Sequence, residues 1–259
     1  MNFLGDLGPT IGGIALTLPR LAAAFLVLPL LNSSTIPSLV RNSFLVSLAI
    51  LAYPVAMGTP AQSLQGALWP LLVVKELFIG VCFGFLFSSV FWAVSAAGSL
   101  IDTKVGTNFA AIADPIQGHE TTLTGDLLGQ LAAWLFMASG AFTLFLNLLM
   151  TSYTIWPVPE MLPPLSAITE QRVIAEFSSL LTLALLLAAP ALVVASLLDL
   201  SLGLVNRYAP QLNVFSLTLS IKAWVSTFIV LLSLGTFIDV VMQKLFASRG
   251  LLNVLRQIL

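Results

Sequence analysis

Few side chains in this sequence could do chemistry, and they are scattered. There is one histidine, His119, and one cysteine, Cys82, which lies in the apolar run Ile79–Phe87. A structural metal site takes a cluster of Cys and His ligands, so none is expected. No glycine-rich loop closes on Lys-Ser or Lys-Thr, so the phosphate cradle of a P-loop ATPase is missing. No serine sits in a nucleophile-elbow pattern. The expectation is a chain with no catalytic residues, no metal and no cofactor.

The charged residues have two readings each. Asp102, Asp114, Glu120 and Asp126 fall in one polar stretch. Read plainly, they belong to a solvated loop with helix caps, and Asp126 suits the start of the next helix, where the helix dipole favours a carboxylate. Read more sharply, they form a proton or ion site. Lys75-Glu76 reads first as an ion pair, or as one charge at an interface and one in a bundle; the functional alternative is a proton relay. Asp199 and Arg207 stand eight residues apart, about two helical turns, on a similar face but out of mutual reach unless the helix bends.

These residues are set in an apolar background. Of 259 residues, 58% are hydrophobic and 8% charged, against about 25% charged in a soluble domain. Ten Lys and Arg nearly balance eleven Asp and Glu, so nothing points to nucleic acid. The lone cysteine leaves the redox compartment open and reads as buried and inert. The first basic residue, Arg20, is already inside an apolar run, which argues against a cleavable signal peptide.

Six long apolar segments must position the charges: Thr10–Leu31, Ser38–Met57, Ala67–Leu100, Leu127–Met150, Phe177–Val205 and Leu212–Val241. Each reaches the ~20 residues of a membrane span. None alternates with the period of a β-barrel, so all are read as helices. The third, fifth and sixth exceed one span and should tilt, break or extend beyond the bilayer. Asn32–Pro37, Gly58–Gly66 and Asn206–Gln211 read as turns of hairpins, Asp102–Asp126 as a longer polar connection, and Thr151–Glu176 as a proline-rich surface loop. Pro29, Pro54, Pro70 and Pro190, with Arg41, Lys75, Glu76, Asp199, Arg207 and Lys222, lie in or beside apolar runs. A charge at the bilayer centre costs at least ~2.5–3.5 kcal/mol, so these helices need protein neighbours. Gly80, Gly84 and Ser88 form a small-residue stripe, and Gly125 and Gly129 repeat it; packing within the chain and packing against another subunit fit it equally. Asp239–Leu259 reads as an amphipathic tail for an anionic membrane surface or a partner's groove, with Lys244, Arg249 and Arg256 suggesting a cytoplasmic C-terminus.

Certain of these residues carry a resemblance. The run Lys75-Glu76-x-x-x-Gly80-x-x-x-Gly84 leads to Phe91-Trp92, to Ala97-Gly98-x-x-Ile101-Asp102, to Gly106 and to Asp114-Pro115. Later comes Asp199-Leu200-x-Leu202-Gly203-Leu204-x-x-Arg207-x-Ala209-Pro210-Gln211-Leu212-Asn213-Val214-Phe215, closed by Lys222. Arg20, Phe25, Pro29, Pro37 and Arg41 complete it near the start. From about Leu18 to Val241 the chain resembles the T subunit of the type III secretion export gate, the SctT family, related to flagellar FliR. Two positions depart from the pattern: Val105 precedes Gly106 where virulence-type members have Arg, and Ser139-Gly140 replaces Gly-Gly after the fourth helix. The Ile101-Asp102 pair and the short tail look more like the virulence type.

The resemblance implies an all-α membrane protein of about six long, bent hydrophobic helices arranged as hairpins in a helical, pore-forming assembly. Residues 1–176 would be an R-subunit-like helical part and residues 177–259 an S-subunit-like hairpin with its tail. The partners would be R- and S-type subunits, the U-type switch subunit, the V-type ring, membrane lipid and unfolded secreted proteins in transit. The place would be the bacterial inner membrane, largely on the periplasmic side within the basal body. The loop Gly106–Gly118 is expected to plug the closed path, with Gly106 and Gly118 as hinges, Phe109, Ala110, Ala111 and Ile112 as an apolar tip, and Asp114-Pro115 stiffening the exit; an ordinary surface connection fits the same residues equally. Gly80, Gly84, Ser88, Asp199, Arg207, Pro210 and Lys222 are expected to serve packing and assembly. Two other classes compete: a secondary transporter using the Asp199–Lys222 block as a midplane site, and a lipid-acting membrane enzyme, for which no nucleophile, base and metal set can be assembled.

Overall fold

A computed structural model of the chain describes residues 3–29, 37–57, 69–107, 122–160, 170–209 and 214–247. Among these the secondary structure is helical. The helices are α1 (Phe3–Val27), α2 (Ser38–Met57), α3 (Trp69–Val105), α4 (Leu123–Ala138), α5 (Ala141–Ile155), α6 (Glu170–Tyr208), α7 (Val214–Leu232) and α8 (Leu234–Ala247). Four are long and apolar enough to cross a membrane, and as many as six spans result if α4 with α5, and α7 with α8, each count as one. This is an all-α membrane protein.

The expected segment bounds hold at α2 and fail where a helix breaks. The fourth segment is two helices, because Gly140 adopts φ 80, a left-handed conformation that a helix interior cannot contain. The sixth breaks at Ser233, where α7 and α8 diverge by 55°. Pro54 and Pro190 are carried inside α2 and α6 without ending them. Asp102 is not in a solvated loop as expected. α3 runs on to Val105, and Asp102 is buried within it.

The described helices form two compact units. In the first, α1, α2, α3 as far as Ser88, and α5 pack together. α1 and α3 run parallel: Gly80 faces Arg20, Gly84 faces Ala24 and Ser88 faces Val27. α2 and α5 run antiparallel to α1. Phe25 makes edge contacts with Phe44, Phe142 and Phe145, while the Tyr153 hydroxyl reaches the Thr17 carbonyl at 2.7 Å. The remaining part of α3 belongs to the second unit, with α4, α6 from Ala175, α7 and most of α8. There α4 runs antiparallel to α3, with Phe91 against Phe136 and Gly98 against Gly125. A stripe of small residues on α6, Ala188 and Ala191, packs on Ala97, Ile101 and Val105 of α3. Small side chains let helix backbones approach closely, and dispersion across that contact replaces the hydrophobic drive that lipid cannot supply.

Two further expectations are corrected here. The stretch after α5 was expected on the surface, yet Trp156 and Val158 are buried and the Val158 N–H donates to the Ala56 carbonyl at 3.0 Å. The apolar face of the C-terminal tail was expected to meet membrane or a partner's groove. In α8, Phe237, Val241 and Leu245 are instead buried within the chain. Lys244 of the tail donates to Ser179 at 2.9 Å and pairs with Glu176 at 3.2 Å. The remainder of the tail, including Arg249 and Arg256, lies outside the described residues.

Candidate functional site

The helices bring the scattered charges together in two clusters of the same stoichiometry, one carboxylate between two cations. In the first unit, Arg20 of α1 forks onto Glu76 of α3, Nε to Oε2 at 2.6 Å and Nη2 to Oε1 at 3.0 Å. Lys75 pairs with the same carboxylate at 2.7 Å. Arg20 and Glu76 are fully buried. Arg20 also donates to the Ser152 hydroxyl and the Trp156 carbonyl, and its guanidinium lies 4.1 Å from the centre of the Tyr153 ring. Lys75 donates to the carbonyls of Pro157, Val158 and Glu160. The two cations therefore satisfy the carbonyls that α5 and its following turn leave open, the groups for which a helix C-terminus needs donors. The plain reading of Lys75-Glu76 as an ion pair stands, but Arg20 is a member that the sequence reading left out.

In the second unit, Asp199 of α6 lies between Lys104 of α3, at 3.0 Å, and Lys222 of α7, at 2.9 Å. Lys222 also donates to the Lys104 carbonyl. Asp199 and Lys104 are 34% and 35% exposed, so this cluster faces out of the unit. Arg207, two turns further along α6, is exposed and takes no part in it. Asp102 serves a third purpose. Its carboxylate accepts from the Thr124 N–H at 2.9 Å and from the Thr124 hydroxyl at 2.5 Å, so α3 caps the N-terminus of α4, whose own Thr122 forms no side-chain cap bond. Among the described residues no group of three His, Cys, Asp or Glu side chains comes together as a metal site.

The glycines mark the closest helix approaches. A Cβ at Gly80 would collide with the Arg20 carbonyl, and one at Gly84 would lie 2.7 Å from the Ala24 carbonyl. The Ser88 hydroxyl donates to the Val27 carbonyl at 2.8 Å. The stripe thus seats α3 on α1 along three turns, and Gly80 is one turn from Glu76. A Cβ at Gly98 would strike the backbone of Gly125, whereas Gly129 has open space around it.

The model of the family described as bacterial export proteins, family 1, matches residues 11–248. The chain belongs to that family. It is 35% identical over 221 residues to the Yop proteins translocation protein T of Yersinia pestis, covering 84% of each chain. It is 32% identical to the surface presentation of antigens protein SpaR of Salmonella typhimurium, over 93% of this chain and 90% of that one. To the flagellar biosynthetic protein FliR of Bacillus subtilis it is 30% identical, over 95% and 94%. The resemblance read from the sequence is therefore real, and the chain is an export protein with membrane-spanning helices.

In this export protein the structure describes only part of the expected plug. Gly106, with φ 93, closes α3, and its N–H and that of Thr107 return to the Asp102 carbonyl. Phe109, Ala110, Ala111, Ile112, Asp114, Pro115 and Gly118 lie outside the described residues, as does Pro210. α6 ends at Tyr208 and α7 begins at Val214 on either side of that proline.

Proposed function

We propose that this chain is a structural, non-enzymatic subunit of a type III secretion export gate in the bacterial inner membrane. With R- and S-type subunits it forms the portal through which unfolded substrates leave the cytoplasm. One observation, joined to the family membership, carries the reading. α6 has 39 residues, about 58 Å of helix against a hydrocarbon core of ~30 Å. Its last turns are bare: Leu200, Leu204 and Tyr208 are 68%, 59% and 85% exposed. A long helix that is apolar and open at one end calls for other helices around it. The buried Arg20–Glu76–Lys75 cluster supports a structural role, since each of its donors is spent on holding helices together.

In this reading residues 1–176 correspond to an R-type subunit and residues 177–259 to an S-type hairpin. Asp199, about a third exposed, with its partner Lys222, Arg207 and Pro210 serve contacts with neighbouring subunits. The loop Gly106–Gly118 narrows the closed path, and the U-type switch subunit and V-type ring are further partners. Much of the assembly stands toward the periplasm. The test is co-purification of the tagged chain in mild detergent, read by mass spectrometry. R- and S-type subunits are expected in the complex. A stable, monodisperse chain without them would overturn the reading and favour a self-sufficient transporter. Deleting Phe109–Ile112 is expected to raise ion leakage through an assembled complex; unchanged leakage would reduce the loop to an ordinary connection.

A further inference from the structure

We propose that the hairpin of α6 with α7 and α8 is jointed: it flexes at one level, where Pro190 and Ser233 line a shared crevice, between two arms that each keep their own shape. This concerns the hairpin alone and stands whether or not the chain is an export-gate subunit.

Each side of the hairpin carries a weak point. Pro190 lies inside α6 and has no N–H, so the Leu186 carbonyl loses the donor that an unbroken helix would give it. On the other side, α7 stops at Leu232 and α8 starts at Leu234, turned by 55°. The Ser233 hydroxyl donates back to the Val230 carbonyl at 3.1 Å, a contact that bends helices. Gly235, two residues on, is a poor helix former. The two weak points meet in space. Leu186, Leu187 and Pro190 line a crevice of about 40 Å³ together with Val230, Ser233 and Phe237. Packed interiors hold few gaps larger than the ~10–15 Å³ that a water needs, so this one gives the backbone room to bend between the two breaks.

On either side of that level the hairpin is tied. Toward the C-terminus of α6, Lys222 of α7 pairs with Asp199 at 2.9 Å. Toward its N-terminus, Lys244 of α8 pairs with Glu176 at 3.2 Å and donates to Ser179 at 2.9 Å. The helices run antiparallel, and the spacing sets the breaks midway between the ties. Ser233 is eleven residues from Lys222 and eleven from Lys244. Pro190 is nine residues from Asp199 and eleven from Ser179. Each interval is about 14–17 Å of helix. The ties keep each arm in register. Between the arms, α6 lacks one rung of its hydrogen-bond ladder and α7 and α8 are separate helices. Bending there changes the curvature of the hairpin while both ion pairs stay made.

The test uses the full-length chain in a bilayer, with whatever subunits accompany it, in a Cys82→Ser background. Distances between paired spin labels are measured as distributions. One pair spans the joint on α6, Leu181→Cys with Asn206→Cys, two exposed positions on the face opposite Pro190. A second spans it on the other side, Trp224→Cys with Gln243→Cys, both exposed. A third, Val193→Cys with Leu204→Cys, stays inside one arm. A flex of ~20°, the size of an ordinary kink, changes the separation of side chains ~5–6 Å off the axis by about 2 Å. The spanning pairs should be broader than the third by about that much, and equal widths overturn the proposal. Pro190→Ala restores a donor to the Leu186 carbonyl. It should narrow both spanning pairs, including the one on α7 and α8. Narrowing confined to α6 means two independent bends, and the proposal fails. Gly235→Ala has nothing within 4 Å of its Cβ position and is the reciprocal variant. It too should narrow both pairs, which keeps the test decisive if Pro190→Ala does not fold. Glu176→Gln cuts a tie and leaves both breaks in place, so narrowing in that variant also overturns the joint.

Discussion

The same charge pattern occurs in both units and does different work in each. Arg20–Glu76–Lys75 and Lys104–Asp199–Lys222 each set one carboxylate between two cations. The first is closed: Arg20 and Glu76 are fully buried, and the surplus positive charge is shared among carbonyls and a tyrosine ring. The second is open, with its carboxylate and one lysine about a third exposed. Burial sets the energetic character. Charges taken out of water are held only by mutual satisfaction, so losing one member strands the others. Charges at a surface gain little from pairing and keep the capacity to meet something new. The closed cluster is a clamp within the chain; the open one leaves Asp199 and Lys104 within reach of solvent.

The comparison breaks most readily at Glu76. Glu76→Gln leaves Arg20 and Lys75 buried without their counter-charge, which should cost about 3–5 kcal/mol. The expected result is loss of folded protein, read as yield and thermal aggregation midpoint in detergent. A midpoint near wild type would mean that the carbonyls alone hold the two cations, and the clamp would lose its centre.

Gly80→Leu comes next. It keeps every charge but forces α3 away from α1 at the turn beside Glu76, since even a Cβ collides with the Arg20 carbonyl. Overpacking of this kind costs ~1–3 kcal/mol or more. Gly129→Leu is the control, because nothing lies within 4 Å of its Cβ position. Equal destabilisation by both would show that the close approach of α1 and α3 does not support the cluster. Asp102→Ala should have a smaller effect, about 1–2 kcal/mol, by removing the cap on α4. Hydrogen exchange should rise at the Thr124 amide and leave the first unit unchanged.

How much of this was legible depends on the range over which each feature acts. α2 occupies the whole apolar run Ser38–Met57, because an apolar run between turn residues is a local signal. The Ser139–Gly140 break was not read as a division of the fourth segment, since one glycine in an apolar run does not announce a left-handed φ. Ser233 breaks the sixth segment with no proline near it in the sequence. Gly125 and Gly129 look alike in sequence, but only Gly125 lies against α3: a Cβ there would meet the Ser95 carbonyl, and a Cβ at Gly98 would strike the Gly125 backbone. The pairing of Arg20 with Glu76 spans 56 positions, yet a signal existed. Asp6 and Glu76 are the only acids before Asp102, and an arginine in the middle of an apolar helix must find one. The outward cluster offered no such elimination, because Asp199 has several cations within a plausible fold.

The smallest expected effect sharpens the contrast most. Asp199→Asn removes the carboxylate from the open cluster, leaving Lys104 open to water or a neighbour and Lys222 on the Lys104 carbonyl. The Lys104–Asp199 pair, a third exposed at both ends, is worth ~0.2–1 kcal/mol, and the less exposed Lys222 keeps the Lys104 carbonyl as a partner, so the folded chain should lose little. The wild-type contribution should also fade with salt, because charges a third exposed are screened over about 8–10 Å at ordinary ionic strength. The Arg20–Glu76 clamp, fully buried, should not respond. If the open cluster is a contact, Asp199→Asn lowers recovery of co-purifying subunits while the midpoint of the chain stays put, and added salt does the same to wild type. A lowered midpoint with unchanged recovery would place Asp199 with Glu76 as an internal clamp. The two clusters would then differ in exposure and not in kind.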